Sequence, residues 1–225
     1  MSSTSNLPAK FHHAKHDSII FDLDGTLWDS TEACLLAWTN ILNNDASGSE
    51  PITREKLQSV FGMQHDLIGA HVFPHLSQSQ RIQLIEMCFA EELRVIRCKG
   101  GALYSGLDSV LSELSNRYKL FIVSNCQSGY IESFFDFHKL DKYFGDFECS
   151  GNTKMPKQDN IKLIMDRNSL GKPLYVGDTQ GDLDAAAENG IPFIHASYGF
   201  GKVADCKYVI SALSELASII EKIGK

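Results

Sequence analysis

The 225-residue sequence predicts an α/β fold: a parallel sheet flanked by helices, with a helical segment inserted near its beginning. Three observations carry this. Short apolar runs such as "SIIF", "KLFIVS" and "PFIHA" lack polar alternation, as strands buried on both faces do. From Gly106 onward such runs alternate with helical stretches, the pattern of a parallel sheet covered on both sides. Between residue 29 and about residue 101 the apolar spacing is helical, with no convincing strand.

The elements follow in order. Residues 1–16 read as a polar tail without the apolar core of a signal peptide. Ser18 to Phe21 is the first strand. "STEACLLAWTNILNN" places Leu35, Trp38, Ile41 and Leu42 at helical spacing, and Asp29 with Glu32 three residues on predicts a capping box. "REKLQSVFGM" and "SQSQRIQLIEMCFAEELRVI" are the next two helices, separated by the Gly-containing loop "FGMQHD". The insertion is thus 29–105, and 1–28 with 106–225 forms the α/β core. In the core, "LDSVLSELSNRY", "SGYIESFFDFH", "KQDNIKLIMDRN", "DLDAAAENG" and "LSELASIIEKI" are helices. "KLFIVS", "PLYVGD", "PFIHA" and "KYVI" are strands, and Gly190 closes the fourth of those helices.

Composition narrows the function classes. Twenty-eight acidic against 21 basic residues give a formal charge of −7, which disfavours nucleic-acid or anionic-membrane binding as the main role. No apolar run reaches the length of a membrane span. The six cysteines are scattered without a C-x-x-C pair, which suggests reduced thiols in a cytoplasmic protein. A monomer is the default expectation.

The chemistry gathers where strands end. "SIIF" runs into Asp22-Leu23-Asp24-Gly25-Thr26, "KLFIV" into Ser124-Asn125, and "PLYV" into Gly177-Asp178, with Asp182 four residues beyond. Lys157 starts a helix between the last two and is favoured over Lys154 by that position. In a parallel sheet these residues converge on one edge, where ligands of α/β proteins sit. Carboxylates gathered there repel, and a hard divalent cation such as Mg²⁺, which takes oxygen ligands, compensates them. Asp22 and Asp178 would be ligands, with the Asp24 carbonyl a third. One carboxylate can attack phosphorus and the other can transfer protons, while Ser124, Lys157 and backbone N–H groups hold phosphoryl oxygens.

The order D-x-D-G-T, then S-N after a strand, then Lys, then G-D-x-x-x-D resembles the haloacid dehalogenase (HAD) superfamily, from about Asp17 onward. The insertion after the first motif resembles its small-cap subgroup, which includes phosphoglycolate phosphatase and β-phosphoglucomutase. The resemblance implies a Rossmann-like, HAD-like core with an α-helical cap domain, and an Mg²⁺-dependent phosphatase acting on a small phosphorylated metabolite through an aspartyl-phosphate. It implies Asp22 as nucleophile and Asp24 as general acid/base. Thr26, Ser124 and Asn125 would contact phosphate, and Lys157 would neutralise charge. Asp178 would hold the metal, with Asp182 bound directly or through water. In the cap, Gln64 and His65 are the candidates to touch substrate, with surface or core packing as the alternative; Trp28 either lines the entrance or packs beneath the cap. A sugar-phosphate mutase using the same intermediate is the alternative function. A dehalogenase is disfavoured by Asp24, a receiver-type phospho-switch by the insertion, and a non-catalytic phospho-ligand binder by the intact motifs.

Overall fold

The computed structural model describes residues 16–44 and 50–223. The tail expected over residues 1–16 therefore lies outside the described residues except for His16. Six parallel strands form the main sheet: β1 (Ser18–Phe21), β4 (Lys119–Ser124), β5 (Phe144–Cys149), β6 (Pro173–Gly177), β7 (Phe193–Ala196) and β8 (Val209–Ile210). Their spatial order is β5-β4-β1-β6-β7-β8, so β1 lies at the centre between β4 and β6. Ile19 and Phe21 face one side with Ile122 and Val176; Ile20 faces the other with Phe121, Val123 and Tyr175. All are essentially inaccessible, which is why these strands read as unbroken apolar runs.

Helices α5 (Leu107–Ser115) and α10 (Leu216–Ile223) pack together on the first side, joined there by α6 (Tyr130–His138). Helices α8 (Lys157–Arg167) and α9 (Gln180–Glu188) cover the second. A single-turn α7 (Ser150–Thr153) follows β5. Helix α9 ends as its sequence predicts. Gly190 takes φ +65°, its N–H bonds Ala187 O, and the N–H of Ile191 bonds Ala186 O, the paired bonds of a Schellman ending.

Four helices interrupt the core: α1 (Thr31–Leu42), α2 (Arg54–Gln58), α3 (His65–Val72) and α4 (Gln78–Lys99). The 22-residue α4 is their spine, packing on α1 and α3 within the insertion and on α6 of the core. The chain leaves and returns through a two-stranded antiparallel ribbon of β2 (Trp28–Asp29) and β3 (Ala102–Leu103). Two-residue strands have no periodicity to read, so the ribbon is not legible in the sequence.

Three local expectations change. The capping box at α1 does not form: Ser30 occupies the N-cap, Asp29 Oδ1 accepts from Thr31 N at 2.8 Å, and Glu32 pairs instead with Arg54. Helix α3 occupies a stretch not expected to be regular. Edge strand β5, "FGDFEC", carries Gly and Asp, which strands disfavour. Arg167 of α8 ties it down through Asp146 at 2.7 Å and Glu148 at 3.1 Å.

Gly190 tests the helix ending in isolation. A Cβ there would meet no atom within 4 Å, so Gly190→Ala changes only backbone conformation. Chemical denaturation is expected to show about 1–2 kcal/mol of lost stability.

Candidate active site

The carboxyl ends of β1, β4 and β6 bring the predicted residues to one edge. Asp22 follows β1 and lies 3 % exposed; Ser124 ends β4; Asp178 follows β6 and is wholly buried. Lys157, at the start of α8 and 4 % exposed, donates to Asp22 Oδ1 at 2.7 Å and to Asp182 Oδ1 at 2.5 Å. Lys154 turns elsewhere and bonds the carbonyl of Gly151 at 2.8 Å.

Asp182 is held on its other side by the start of α9. Its Oδ2 accepts from Thr179 N at 2.9 Å and Thr179 Oγ1 at 2.7 Å, and its own N–H returns to Thr179 Oγ1. This capping box fixes the carboxylate that fixes the lysine. Asp178 Oδ2 accepts from the backbone N–H groups of Phe200 at 2.7 Å and Gly201 at 3.2 Å. Its Oδ1 has no hydrogen-bond partner.

Oxygen atoms of Asp22, Asp178 and Asp182 lie within 4.8 Å of one another. Burial works against the Lys157 ammonium, but Asp182 and Asp22 outweigh it and hold its pKa well above the ordinary lysine value. Burial pushes the Asp22 carboxyl up; Lys157 opposes this, while Asp182 and Asp178 add to it. Burial first and then Asp182 push Asp178 up to about 7, against the Phe200 and Gly201 N–H groups. Three buried carboxylates thus share one ammonium. An all-oxygen donor set, excess negative charge and an unpartnered Asp178 Oδ1 fit a hard divalent cation.

Gly25 makes the close approach of these elements feasible. It takes φ +81°, and a Cβ on it would lie 2.2 Å from Asp178 Oδ2. Any side chain there would both strain the turn and displace Asp178.

Asp24 is gripped by one oxygen. Its Oδ1 accepts from Ser30 Oγ at 2.6 Å, Trp28 Nε1 at 2.9 Å and the Tyr130 hydroxyl at 3.0 Å. Burial raises its pKa to about 6 despite these three donors. Trp28 is itself fully buried, edge-on to Tyr130 and Phe134, so it packs beneath the cap and orients Asp24. Nothing in the sequence marked Ser30 or Tyr130 for this role; Tyr130 stands 106 residues from Asp24.

Between core and cap lies a cavity of about 50 Å³. The core contributes Asp22, Asp24, Ser124, Asn125, Cys126 and Gln127. The cap contributes mainly apolar groups, among them Leu57, Val60, Phe61, Met63 and Phe89. Ser124 Oγ accepts from Cys126 N at 3.3 Å. Asn125 faces the cavity but spends its Nδ2 on the carbonyl of Gly62 at 2.8 Å, a bond from core to cap. Cys126 is an unreactive thiol, its pKa pushed up by burial.

The structure places the other candidate residues as follows. Thr26 is fully buried and does not line the cavity, its backbone being tied to Leu23 O and to the Tyr198 hydroxyl. Gln64 also does not line it, because the loop turns Phe61, Gly62 and Met63 inward instead. His65 begins α3, and its side chain lies outside the described residues.

One cavity residue escaped the sequence reading altogether. Glu92, on α4, is 5 % exposed. Its Oε1 accepts from Trp38 Nε1, and its Oε2 accepts from Gln127 Nε2 at 3.0 Å. Burial raises its pKa to about 8, with these two donors opposing and Asp24 adding to the rise. In sequence it is one of two adjacent glutamates on a long helix, and nothing separates it from Glu91, which pairs with Arg94 and Asn40.

The chain belongs to the haloacid dehalogenase-like hydrolase family, whose model matches residues 19–196. It is similar to the phosphoglycolate phosphatase of Vibrio parahaemolyticus, with 25 % identity over 90 % of this chain and 95 % of that one. It is also similar to a 5′-nucleotidase of Pseudomonas aeruginosa, with 26 % identity over 83 % and 85 %. A haloacid dehalogenase-like hydrolase from Streptococcus pneumoniae shares the fold with a TM-score of 0.80 at 22 % identity, over 91 % of this chain and 98 % of that one. A predicted phosphoglycolate phosphatase from Haemophilus somnus does so with a TM-score of 0.81 at 18 % identity, over 92 % and 99 %. The chain is therefore a haloacid dehalogenase-like hydrolase of the phosphoglycolate phosphatase-like kind.

Two measurements test this geometry. Asn125→Ala removes a core-to-cap hydrogen bond worth about 1 kcal/mol, so KM is expected to rise roughly fivefold while the protein stays folded. Glu92 bears on pH dependence. Its folded pKa of about 8 exceeds the ordinary 4.5, so the folded chain keeps a proton that the unfolded chain has lost. Stability from this group is therefore full below pH 4.5 and is lost as pH rises towards 8. Denaturation between pH 5 and pH 8 is expected to cost the native protein roughly 2–4 kcal/mol more than Glu92→Gln.

Proposed function

We propose that the protein is an Mg²⁺-dependent phosphatase that hydrolyses a small phosphomonoester through an aspartyl-phosphate on Asp22. The observation that carries this is the cluster itself: Asp22, Asp178 and Asp182 around Lys157, with Asp24 beside the same cavity. The names of the curated relatives, phosphoglycolate phosphatase and 5′-nucleotidase, support phosphomonoester hydrolysis.

In the first step an Asp22 oxygen attacks phosphorus opposite the ester oxygen. The O–P bond forms as the ester bond breaks, and Asp24 gives its proton to the leaving alkoxide. A carboxyl with a pKa near 6 serves both directions of proton transfer close to neutral pH. In the second step Asp24 takes a proton from water, whose oxygen attacks the same phosphorus and frees Asp22 and inorganic phosphate. Lys157 pairs with the Asp22 oxygen at 2.7 Å and keeps that side chain from swinging. Ser124 and backbone N–H groups at the edge hold phosphoryl oxygens as charge spreads over them. Asp22, Asp178 and the Asp24 carbonyl, with Asp182 directly or through water, would hold Mg²⁺, which would supply positive charge against the carboxylates and the phosphoryl group. The seated cap, in which Asn125 meets Gly62, limits bulk water around the phosphoryl group, where charge–charge contacts are then stronger. Such catalysis lowers the barrier of phosphomonoester hydrolysis by roughly 20 kcal/mol or more.

Six cysteines without a disulfide fit a reducing, cytoplasmic location. No helix among the described residues is long and apolar enough to cross a membrane.

Phosphate release from a panel of small phosphoesters is expected with Mg²⁺ and to vanish with EDTA. Asp22→Asn is expected to lose at least about 10³-fold in kcat, since the amide at position 22 cannot form the acyl phosphate. Release that persists in EDTA or in that variant, or no release from any ester, would overturn the reading.

A further inference from the structure

The proposed reaction uses the core edge of the cavity and leaves Glu92 unexplained. A buried carboxyl without a cation is costly to keep, and its neighbours hold it in place. Trp38, stacked on Phe73, donates to one oxygen, and Gln127 donates to the other at 3.0 Å. The orientation of the Gln127 amide is settled by its surroundings. Its Nε2 also donates to the carbonyl of Phe89 at 3.0 Å, and reversing it would set an oxygen against two acceptors. That leaves Gln127 Oε1 buried without a hydrogen-bond partner, on a residue only 8 % exposed that lines the same cavity. Gln127 Oε1 therefore awaits a donor, beside a Glu92 carboxyl whose two oxygens each already accept one hydrogen bond.

The rest of the lining sharpens this. Among the described residues around the cavity there is no Lys, Arg or His, while Asp22, Asp24 and Glu92 all contribute. Lys157 sits behind Asp22 and is already shared with Asp182. A second anionic group on the substrate would thus meet carboxyl groups and apolar side chains, with no cation to receive it.

We propose that Glu92, positioned by Trp38 and Gln127, is the specificity residue of this site, and that it selects phosphomonoesters whose alcohol carries a hydrogen-bond donor and rejects those whose alcohol carries a carboxylate. This rests on the phosphatase reading above. The donor is a hydroxyl or an ammonium; either would satisfy the unpartnered Gln127 Oε1 beside the Glu92 carboxyl. The raised pKa of the carboxyl accords with a hydroxyl, to which a neutral acid can both donate and accept. An enzyme that buries acceptors for a substrate hydrogen bond discriminates strongly against an analogue lacking it, because the acceptors are then stranded.

Four short esters separate the cases: 2-hydroxyethyl phosphate, 2-aminoethyl phosphate, propyl phosphate and 2-phosphoglycolate. With the full chain and Mg²⁺, kcat/KM for a donor-bearing ester is expected to exceed those for propyl phosphate and phosphoglycolate at least tenfold. Preference for the hydroxyl identifies recognition by the neutral acid; preference for the amine identifies pairing with the carboxylate. In Glu92→Met that ratio is expected to fall below threefold. Glu92→Gln, which keeps an oxygen for Trp38, is expected to retain a preference for the hydroxyl over propyl and lose any preference for the amine. The proposal is overturned if phosphoglycolate or propyl phosphate is the best of the four in the native protein, or if Glu92→Met slows all four by one common factor. No release from these four, while larger esters are hydrolysed, overturns this proposal alone. No release from any ester overturns the phosphatase reading and this with it.

Discussion

One buried lysine organises this molecule. Lys157 lies between Asp22 and Asp182, and without it three carboxylates would face one another with no ammonium among them. Such a group tolerates little displacement, since moving one partner strands a charge in a place water does not reach. Much of the local structure serves to hold it. The Thr179 capping box locks Asp182, the Phe200 and Gly201 N–H groups hold Asp178, and the left-handed turn at Gly25 lets two strand ends come within contact. Parallel pairing of β1 with β4 and β6 then brings Asp22 to the same edge as Ser124 and Asp178, which stand one residue further along their strands.

The cap does more than cover that edge. It supplies apolar walls, it meets the core at the Asn125–Gly62 bond, and through α4 it carries a carboxyl into the same space. The two halves also share a hydrogen-bond path: Trp38 and Glu92 belong to the cap, Gln127 to the core. The cap lines its side of the cavity mainly with apolar groups, whereas the core lines the other with Asp22, Asp24, Ser124 and Asn125.

What could be read from the chain divides along the same line. Asp22, Asp24, Ser124, Lys157, Asp178 and Asp182 stood out because each follows an apolar strand or begins a helix, and a parallel sheet sends all such positions to one edge. Lys157 could be preferred to Lys154 on helix position, and the two point to different partners in the structure. Strand β5 went unread because its Gly and Asp conceal it and its stability comes from Arg167, a residue of a later helix. Helix α3 was hidden by the glycine loop before it, and the box expected at Asp29 was undone because Ser30, the N-cap, gives its hydroxyl to Asp24.

By itself the sequence determined the layering of strands and helices, the interruption by a helical segment, and which carboxylates and lysine gather at the sheet edge. These follow from local periodicity and from the common direction of parallel strands, both of which are written into short stretches. Only the tertiary structure decided that Trp28, Ser30 and Tyr130 grip Asp24, that Thr26 and Gln64 stay out of the cavity, and that Glu92 enters it. Those outcomes depend on contacts between residues up to 106 positions apart, set by how the cap seats on the core, and no local pattern encodes that docking.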